Sequence, residues 1–497
     1  MPVARDPIAG AVVLKGRILG VHVQGALVSR RDFVVTPKRV LSDADLQALR
    51  RAMGEAVVAP GEPKYERLRV PWNTLFDRKP GAIVRCADKS DVMAAVAFAS
   101  ERDLLLSVRG GGHDFAGNSV CDGGLMLDLS RMRGVSVDPD ARRAQAGGGA
   151  TWRDMDHATQ PFGLATTAGT GSGAGVAGVT LGGGTGHLAR RQGLALDNLV
   201  AAQVVTAGGE LLQASDDENS DLFWAIRGGG GNFGVATSLE YRLHPVGPEV
   251  LAGQLFHPFP DAPEVLRFYR DFMAKAPDTL QCYAFLVRVP PMEPFPRAHH
   301  GEMALSLLVA WTGDPEEGAE IVRPLRKHGV PFLDGVVRQP YLVLQQAFDE
   351  AMGPGKRWYS RAHYLDRLSD EAIDTALDCA REMPGPFSSA YFEPLGGAVN
   401  RVAADATAFP HRSAFCGFHV VAGWESGDDE QALTAWTRDF QRAMAPHANG
   451  GVYVNLLAHD EGDRVRAAYG KNFDQLVELK RKWDPDNLFQ VNQNIAP

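Results

Sequence analysis

Ser107-Val108-Arg109-Gly110-Gly111-Gly112-His113-Asp114-Phe115-Ala116-Gly117-Asn118-Ser119 is the stretch on which the reading of the fold turns. It follows the apolar run Leu104-Leu105-Leu106-Ser107-Val108, which has the character of a strand end. Three glycines then let the backbone turn sharply and pass close to a bulky neighbour. A single imidazole stands directly after them. Successive N–H groups in such a turn form a concave anion site of the kind that holds a pyrophosphate. Taken by itself the stretch fits two readings, a tight turn with an incidental histidine or a phosphate cradle.

Upstream, a short apolar strand over 80–86 is entered through Pro80-Gly81. A helix over 91–102 follows, with Val92, Ala95, Val96 and Ala99 on one face. Farther back a helix over 42–54 starts at Ser42, with Asp45 three residues on and Leu46 and Leu49 as its apolar positions. Strand, helix and strand therefore lead into the triple glycine. Downstream the pattern predicts strands over 124–129, 135–138 and 143–150 and a helix over 151–160. Half of the residues from Gly169 to Gly186 are glycine, yet Val176, Val179 and Leu181 and the helix-forming 187–191 set the segment apart from low-complexity disorder. A strand over 199–206, a Gly208-Gly209 hairpin turn, a short helix over 222–227, a second glycine turn at 228–234 and a strand over 235–243 complete this half. Pro245 to Pro248 marks a boundary. Residues 250–450 have an α+β texture, with strands over 283–287, 305–311 and 415–424 and helices over 315–329 and 370–382. The tail carries a helix over 472–483 and a turn at Asp484-Pro485-Asp486-Asn487.

Composition narrows the classes. A chain of 497 residues, 45% hydrophobic and 22% charged, suits a globular enzyme of two or three domains. Its 54 glycines concentrate between 109 and 234, a pattern of backbone-lined ligand binding. A net charge of -9 argues against a nucleic-acid partner. No apolar run is long enough to span a membrane, and residues 1–38 have neither the apolar centre nor the cleavage site of a signal peptide. Cys86, Cys121, Cys282, Cys379 and Cys416 are scattered without metal-type spacing, so free thiols, no metal and a cytoplasmic protein are expected. No P-loop occurs, and the formal G-x-G-x-x-A at Gly169 lacks the strand–turn–helix context of a dinucleotide-binding fingerprint.

The turns taken together carry more. Val108 to His113, Gly123 to Ser130, Gly178 to Gly186, Gly193-Leu194-Ala195-Leu196-Asp197-Asn198 and Arg227 to Gly234 occur in an order that resembles the FAD-binding domain of the p-cresol methylhydroxylase / vanillyl-alcohol oxidase superfamily. The tail, Tyr453-Val454-Asn455 with Trp483-Asp484-Pro485-Asp486-Asn487-Leu488-Phe489, resembles berberine bridge enzyme-like oxidases, a group to which 6-hydroxy-D-nicotine oxidase is related. The resemblance covers roughly 65–245 and 450–497. It implies an α+β, two-domain fold: an N-terminal arm over 1–40, an FAD domain over 41–245, a substrate domain over 246–450 with an antiparallel sheet covered by helices, and a segment over 451–497 returning to the FAD domain. It also implies a covalent bond from His113 to the flavin 8α carbon. The implied cofactor-binding set is Arg109, Gly110, Gly111, Gly112, His113, Asp114, Gly117, Asn118, Ser119, Gly175, Val176, Gly178, Gly182, Gly183, Gly186, Asp197, Asn198, Val205, Asn232, Phe233, Gly234, Val235, Tyr453, Asn455, Asn492 and Asn494.

The sequence departs from the family pattern at four positions. The cysteine of members with a second flavin bond falls on Gly171, so a single bond through His113 is expected. A histidine near the ribityl chain falls on Val179, the catalytic tyrosine of plant members falls on Leu456, and their glutamate base falls on Gly417. His419, two residues on and on the same strand face, is either a base or a histidine packed in a sheet. Tyr453 is the polar candidate beside the flavin. The implied function is hydride transfer from an alcohol, an amine or an activated C–H of a small, secondary-metabolite-like substrate to flavin N5, with O2 as oxidant. Two alternatives stay open: a dehydrogenase or oxidative cyclase using another acceptor, and a flavin-holding protein without activity.

Overall fold

The computed structural model describes residues 38–497, so the expected arm over 1–40 lies almost wholly outside the described residues. Ser42 and Asp45 cap the first helix, Asp43–Met53, in a reciprocal capping box. The helix before the triple glycine is Lys89–Glu101, where the Asp88 carboxylate accepts the N–H groups of Ser90 and Asp91. It crosses between strands Ala82–Arg85 and Leu106–Arg109, which both run parallel to Leu125–Asp128 between them. Val57–Val58 adds an antiparallel edge. The triple glycine thus leaves the carboxyl end of a parallel strand, the end at which open α/β sheets bind ligands.

A second, antiparallel sheet takes Val135–Asp138, Arg143–Gly147, Val235–Arg242, Leu199–Val205 and Leu211–Ser215 in that order. The glycine-dense segment is not all loop: Val176–Gly182 forms a helix, its Val176 and Leu181 buried against Trp152, Phe223 and Tyr241.

The third sheet has eight strands, all paired antiparallel. Its six longest strands run in the order Glu249–Pro258, Met303–Trp311, Leu280–Arg288, Ser389–Pro394, Cys416–Trp424 and, at the edge, Arg357–Leu365. Side chains alternate across it, as a pleated strand requires. Cys282, Ala284, Leu286, Ala390, Phe392, Cys416, Phe418 and Val420 pack against helices Ala262–Met273, Pro315–Lys327, Asp370–Arg381 and Glu430–Met444. The opposite face belongs to other cores. Trp358, Ala362, Tyr364 and Val421 share one with Trp152, Tyr241 and Phe223 of the glycine-rich half, and Tyr283 and Phe285 join Leu188 and Tyr341. A helix-covered antiparallel sheet therefore lies on the FAD-type half through its uncovered face.

The tail packs against the first half of the chain. Lys480, on helix Phe473–Trp483, is fully buried with Asp484; its Nζ donates to Asn232 O at 2.8 Å and to Asp484 Oδ2 at 2.7 Å. Asp484 also accepts the N–H groups of Leu488 and Phe489. The strands of the third sheet are longer than periodicity alone suggested: 283–287 is the centre of Leu280–Arg288. Glu249–Pro258, Arg357–Leu365 and helix Glu430–Met444 carried no signal strong enough to be read.

Burial pushes the imidazoles of His113, His187, His244, His257, His363 and His411 each down to about 4. One group opposes them, since burial raises Asp156 to about 7. In the unfolded chain imidazoles titrate near about 6.5, so between that pH and about 4 the unfolded chain binds more protons and stability falls with pH. Asp156 is protonated in the fold below about 7 and gives the opposite slope, but from a single site. Calorimetry at constant ionic strength is expected to show an unfolding midpoint that drops steadily from pH 6.5 to 4. A midpoint that holds or rises over that window contradicts the assignment of six histidines held uncharged by the fold.

Candidate active site

A cavity of about 250 Å3 opens where the carboxyl end of Leu106–Arg109 meets the glycine turns of the second sheet and the returning tail. Of the expected residues, Gly110, Gly111, Gly112, His113, Asp114, Asn118, Ser119, Gly175, Gly178, Asn232, Gly234, Val235, Asn455 and Asn492 line it. The N–H groups of Gly110, Gly111, Gly112 and His113 donate to no backbone carbonyl among the described residues. They form a run of unused donors, the arrangement that binds an anion. The turn requires glycine. A Cβ on Gly111 would stand 2.4 Å from Gly175 N, and one on Gly175 would stand 2.5 Å from Gly111 N. The two backbones touch, and together they make one wall.

His113 is held by its faces. Its ring stacks on Trp72 with centroids 3.8 Å apart and 18° between planes. Asp114 accepts the N–H groups of Asn118 at 2.7 Å and Ser119 at 3.2 Å, closing the loop. Ser119 Oγ is buried without a hydrogen-bond partner in the cavity wall, a state that asks for a ligand. Asn232 lines the cavity but spends its amide elsewhere: Nδ2 donates to Gly229 O and Gln493 O, and Oδ1 accepts the Ile495 N–H. Asn494 lines a second cavity of about 240 Å3, which shares Ala116, Asn118, Asn492 and Gln493 with the first.

The remaining expected residues do not reach the main cavity. The Arg109 guanidinium turns back to the carbonyls of Leu68, Arg69 and Val70. Asp197 is paired bidentately with Arg412 at 2.6 and 2.8 Å, and Asn198 is tied to Gln192 O, Leu194 O and His244. Val176, Val205 and Phe233 are core residues. Gly117, Gly182, Gly183 and Gly186 instead give room to Phe76, Asn455, Tyr453 and the Ala168 carbonyl.

Tyr453 lies behind the wall made by Val454 and Asn455. Its hydroxyl accepts the Gly184 N–H at 2.9 Å and Asn455 Nδ2–H at 3.0 Å, which leaves its own proton free to be donated. Burial pushes this phenol up, and the Glu393 charge adds to the effect. His419 does share a face with Gly417, as expected: a Cβ on Gly417 would stand 2.5 Å from His419 Nε2. The imidazole therefore fills the space a side chain at 417 would need. Its Nε2 is 3.1 Å from Glu393 Oε2, on the neighbouring strand in register with Gly417, and Tyr391 packs at 4.7 Å. Sequence reasoning did not join Glu393 to His419, because cross-strand register has no local signature. Trp72, Gly148, Gly230, Gly231, Val454 and Gln493 were also missed. Of these, Gly148, Gly230 and Gly231 stand in glycine turns and Val454 in the Tyr453-Val454-Asn455 motif, whereas Trp72 and Gln493 had no signal.

The features match what FAD asks of a protein: free amides for the pyrophosphate, a glycine cradle closed to any Cβ, and an uncharged imidazole at the rim. Comparison with known proteins agrees. Residues 80–215 match the FAD binding domain family and 452–496 the berberine and berberine like family. The chain is 39% identical to (R)-6-hydroxynicotine oxidase of Paenarthrobacter nicotinovorans, over 89% of this chain and 96% of that protein. It is 31% identical to an FAD-linked oxidoreductase of Dictyostelium discoideum, over 89% and 94%. The crystal structure of 6-hydroxy-D-nicotine oxidase from Arthrobacter nicotinovorans superposes with a TM-score of 0.80 at 26% identity, covering 89% of this chain and 97% of that one.

Three glycines separate wall from space. Gly175→Ala forces a methyl group into the Gly111 backbone, Gly178→Leu projects into the open cavity, and Gly173→Ala meets nothing within 4 Å. Flavin content per purified chain is expected to fall at least tenfold in the first two and to stay unchanged in the third, with Gly178→Leu keeping the wild-type unfolding midpoint. Equal flavin content in all three contradicts this cavity as the cofactor site.

Proposed function

Because the chain belongs to the FAD-linked oxidoreductases of the berberine bridge enzyme-like group, we propose that it is an oxidase of small organic substrates that carries FAD on His113 alone. The observation that supports this most is the imidazole itself. It stands at the rim of the glycine-lined cavity, and burial holds it uncharged, down to about 4. An uncharged ring nitrogen is a nucleophile at neutral pH, as attachment requires. Gly171 has no thiol to offer a second bond, and nothing stands within 4 Å of where its Cβ would be.

When bound, FAD would supply the hydride acceptor and pass electron pairs to O2. The chain's residues do the rest. Gly110, Gly111 and Gly112 would hold the pyrophosphate through their amides, and Asn455 forms part of the opposite lining of the cavity. Tyr453, behind that lining, holds Asn455 and the Gly184 N–H through its hydroxyl and so positions the lining from outside the cavity. His419 and Glu393 are the proton-accepting pair on the sheet face that lies on the FAD half, where Gly417 leaves the family's usual position bare. That buried pair disfavours the reading of an inactive flavin holder. The substrate class is an alcohol, an amine or an activated C–H compound. The name of the 39% identical relative, (R)-6-hydroxynicotine oxidase, points to an amine.

Acid precipitation of the purified protein is expected to leave a yellow pellet, and His113→Ala a colourless one with flavin in the supernatant. Free flavin from the wild type overturns the attachment reading. Anaerobic mixing with a panel of amines, alcohols and phenols is expected to bleach the flavin with at least one of them, and colour is expected to return within seconds in air-saturated buffer. Slow return instead assigns another electron acceptor.

A further inference from the structure

Pro71-Trp72-Asn73 is a clasp between the His113 loop and the third sheet. The Trp72 backbone N–H donates to Gly112 O at 3.1 Å and its indole N–H to Met352 O at 2.6 Å. Asn73 Nδ2 donates to Phe115 O at 3.0 Å and Trp358 O at 2.9 Å, and its Oδ1 accepts the Trp358 N–H at 2.8 Å. These bonds fix the indole between two rings. On one side lies His113, at 3.8 Å and 18°; on the other lies Trp358, at 5.3 Å and 6°. Phe115 closes the edge at 5.3 Å and 80°.

This is an unusual way to hold a histidine that must act. A reactive imidazole is commonly oriented by a hydrogen bond to one ring nitrogen, which commits that nitrogen. Among the described residues no other residue hydrogen-bonds the ring; burial, its own backbone and the distant Asp349 charge are what act on it. The stack fixes the ring plane of a residue that lines the cavity, and no side chain claims either ring nitrogen among the described residues.

We infer that Trp72 is a positioning residue for flavin attachment, aligning the His113 ring edge with the 8α carbon through the Trp358–Trp72–His113 stack. The inference rests on the reading of His113 given above. The step balances as follows. One C–H bond of the 8α methyl breaks and one N–C bond to the imidazole forms. The methyl proton and the imidazole N–H proton are released with two electrons that pass through the isoalloxazine, and dioxygen takes both protons and both electrons to become hydrogen peroxide. Trp72 exchanges no atoms. Its contribution is orientation, and misalignment on the ångström scale costs such reactions orders of magnitude.

Trp72→Phe keeps a flat ring and loses the indole N–H. Trp72→Leu loses both, with Trp72→Met as a more pliable replacement should Leu not fold. Each variant and the wild type are incubated with FAD in air-saturated buffer. Attachment is followed by flavin fluorescence of the chain on denaturing gels, at several FAD concentrations so that affinity and attachment rate separate. The expected result is a limiting rate at least about tenfold lower in Leu or Met, a rate within about threefold of wild type in Phe, and unchanged half-saturation by FAD in all. Attachment at the wild-type rate in Leu or Met, or rates that fall only with FAD affinity, overturns the role of Trp72 while leaving His113 standing. A wild-type chain that links no flavin while His113→Ala binds FAD equally well overturns both.

Discussion

The close approach of Gly111 and Gly175 is the constraint on which the site depends. Two loops, one leaving the parallel sheet and one entering helix Val176–Gly182, meet backbone against backbone with no room for a Cβ on either. The contact bends the 110–113 amides away from secondary-structure partners and leaves them free. Lining the cavity, they form the run of donors that takes up an anion.

The third sheet matters to function through its uncovered face. Helices bury one face, while the other presents tyrosines, Glu393 and His419 to the half that holds the cavity. The tail ties the arrangement from the opposite side. Asn232 and the buried Lys480–Asp484 pair join the 228–234 turn to the last residues, Gln493 and Ile495 among them. A buried ion pair of this kind is worth little as net stability, but it leaves the loop only one arrangement in which both charges are satisfied.

Much of the FAD-type half was legible because its constraints are local. Positive φ at Gly112, Gly117, Gly183 and Gly234, and steric exclusion at Gly111 and Gly175, can be met only by glycine, so the turns stand out as residues. The hidden parts are those set by distant neighbours. Trp72 lies in a loop before strand Ala82–Arg85 and Trp358 on strand Arg357–Leu365, and nothing near either announces a stack on His113. Lys480 and Asp484 have the i, i+4 spacing of an exposed helix pair, yet both are fully buried. Arg109, Asp197 and Asn198 belong to the motif run and were read as cofactor contacts; their side chains brace the loops that carry the cavity instead. A motif identifies which residues a site needs, but not whether each faces the ligand or the scaffold.

The central claim is a flavin carried by one histidine at the end of a glycine turn, and peptide mass mapping reads it directly. Trypsin cuts after Arg109 and Arg131 and releases His113 on the peptide spanning 110–131. That peptide, which also holds Cys121, is expected to carry the mass of one FAD less two hydrogens, with fragmentation assigning it to His113 rather than Cys121 and no flavin mass on the peptides of the other four cysteines. An unmodified 110–131 peptide, or flavin mass on a different peptide, contradicts the account.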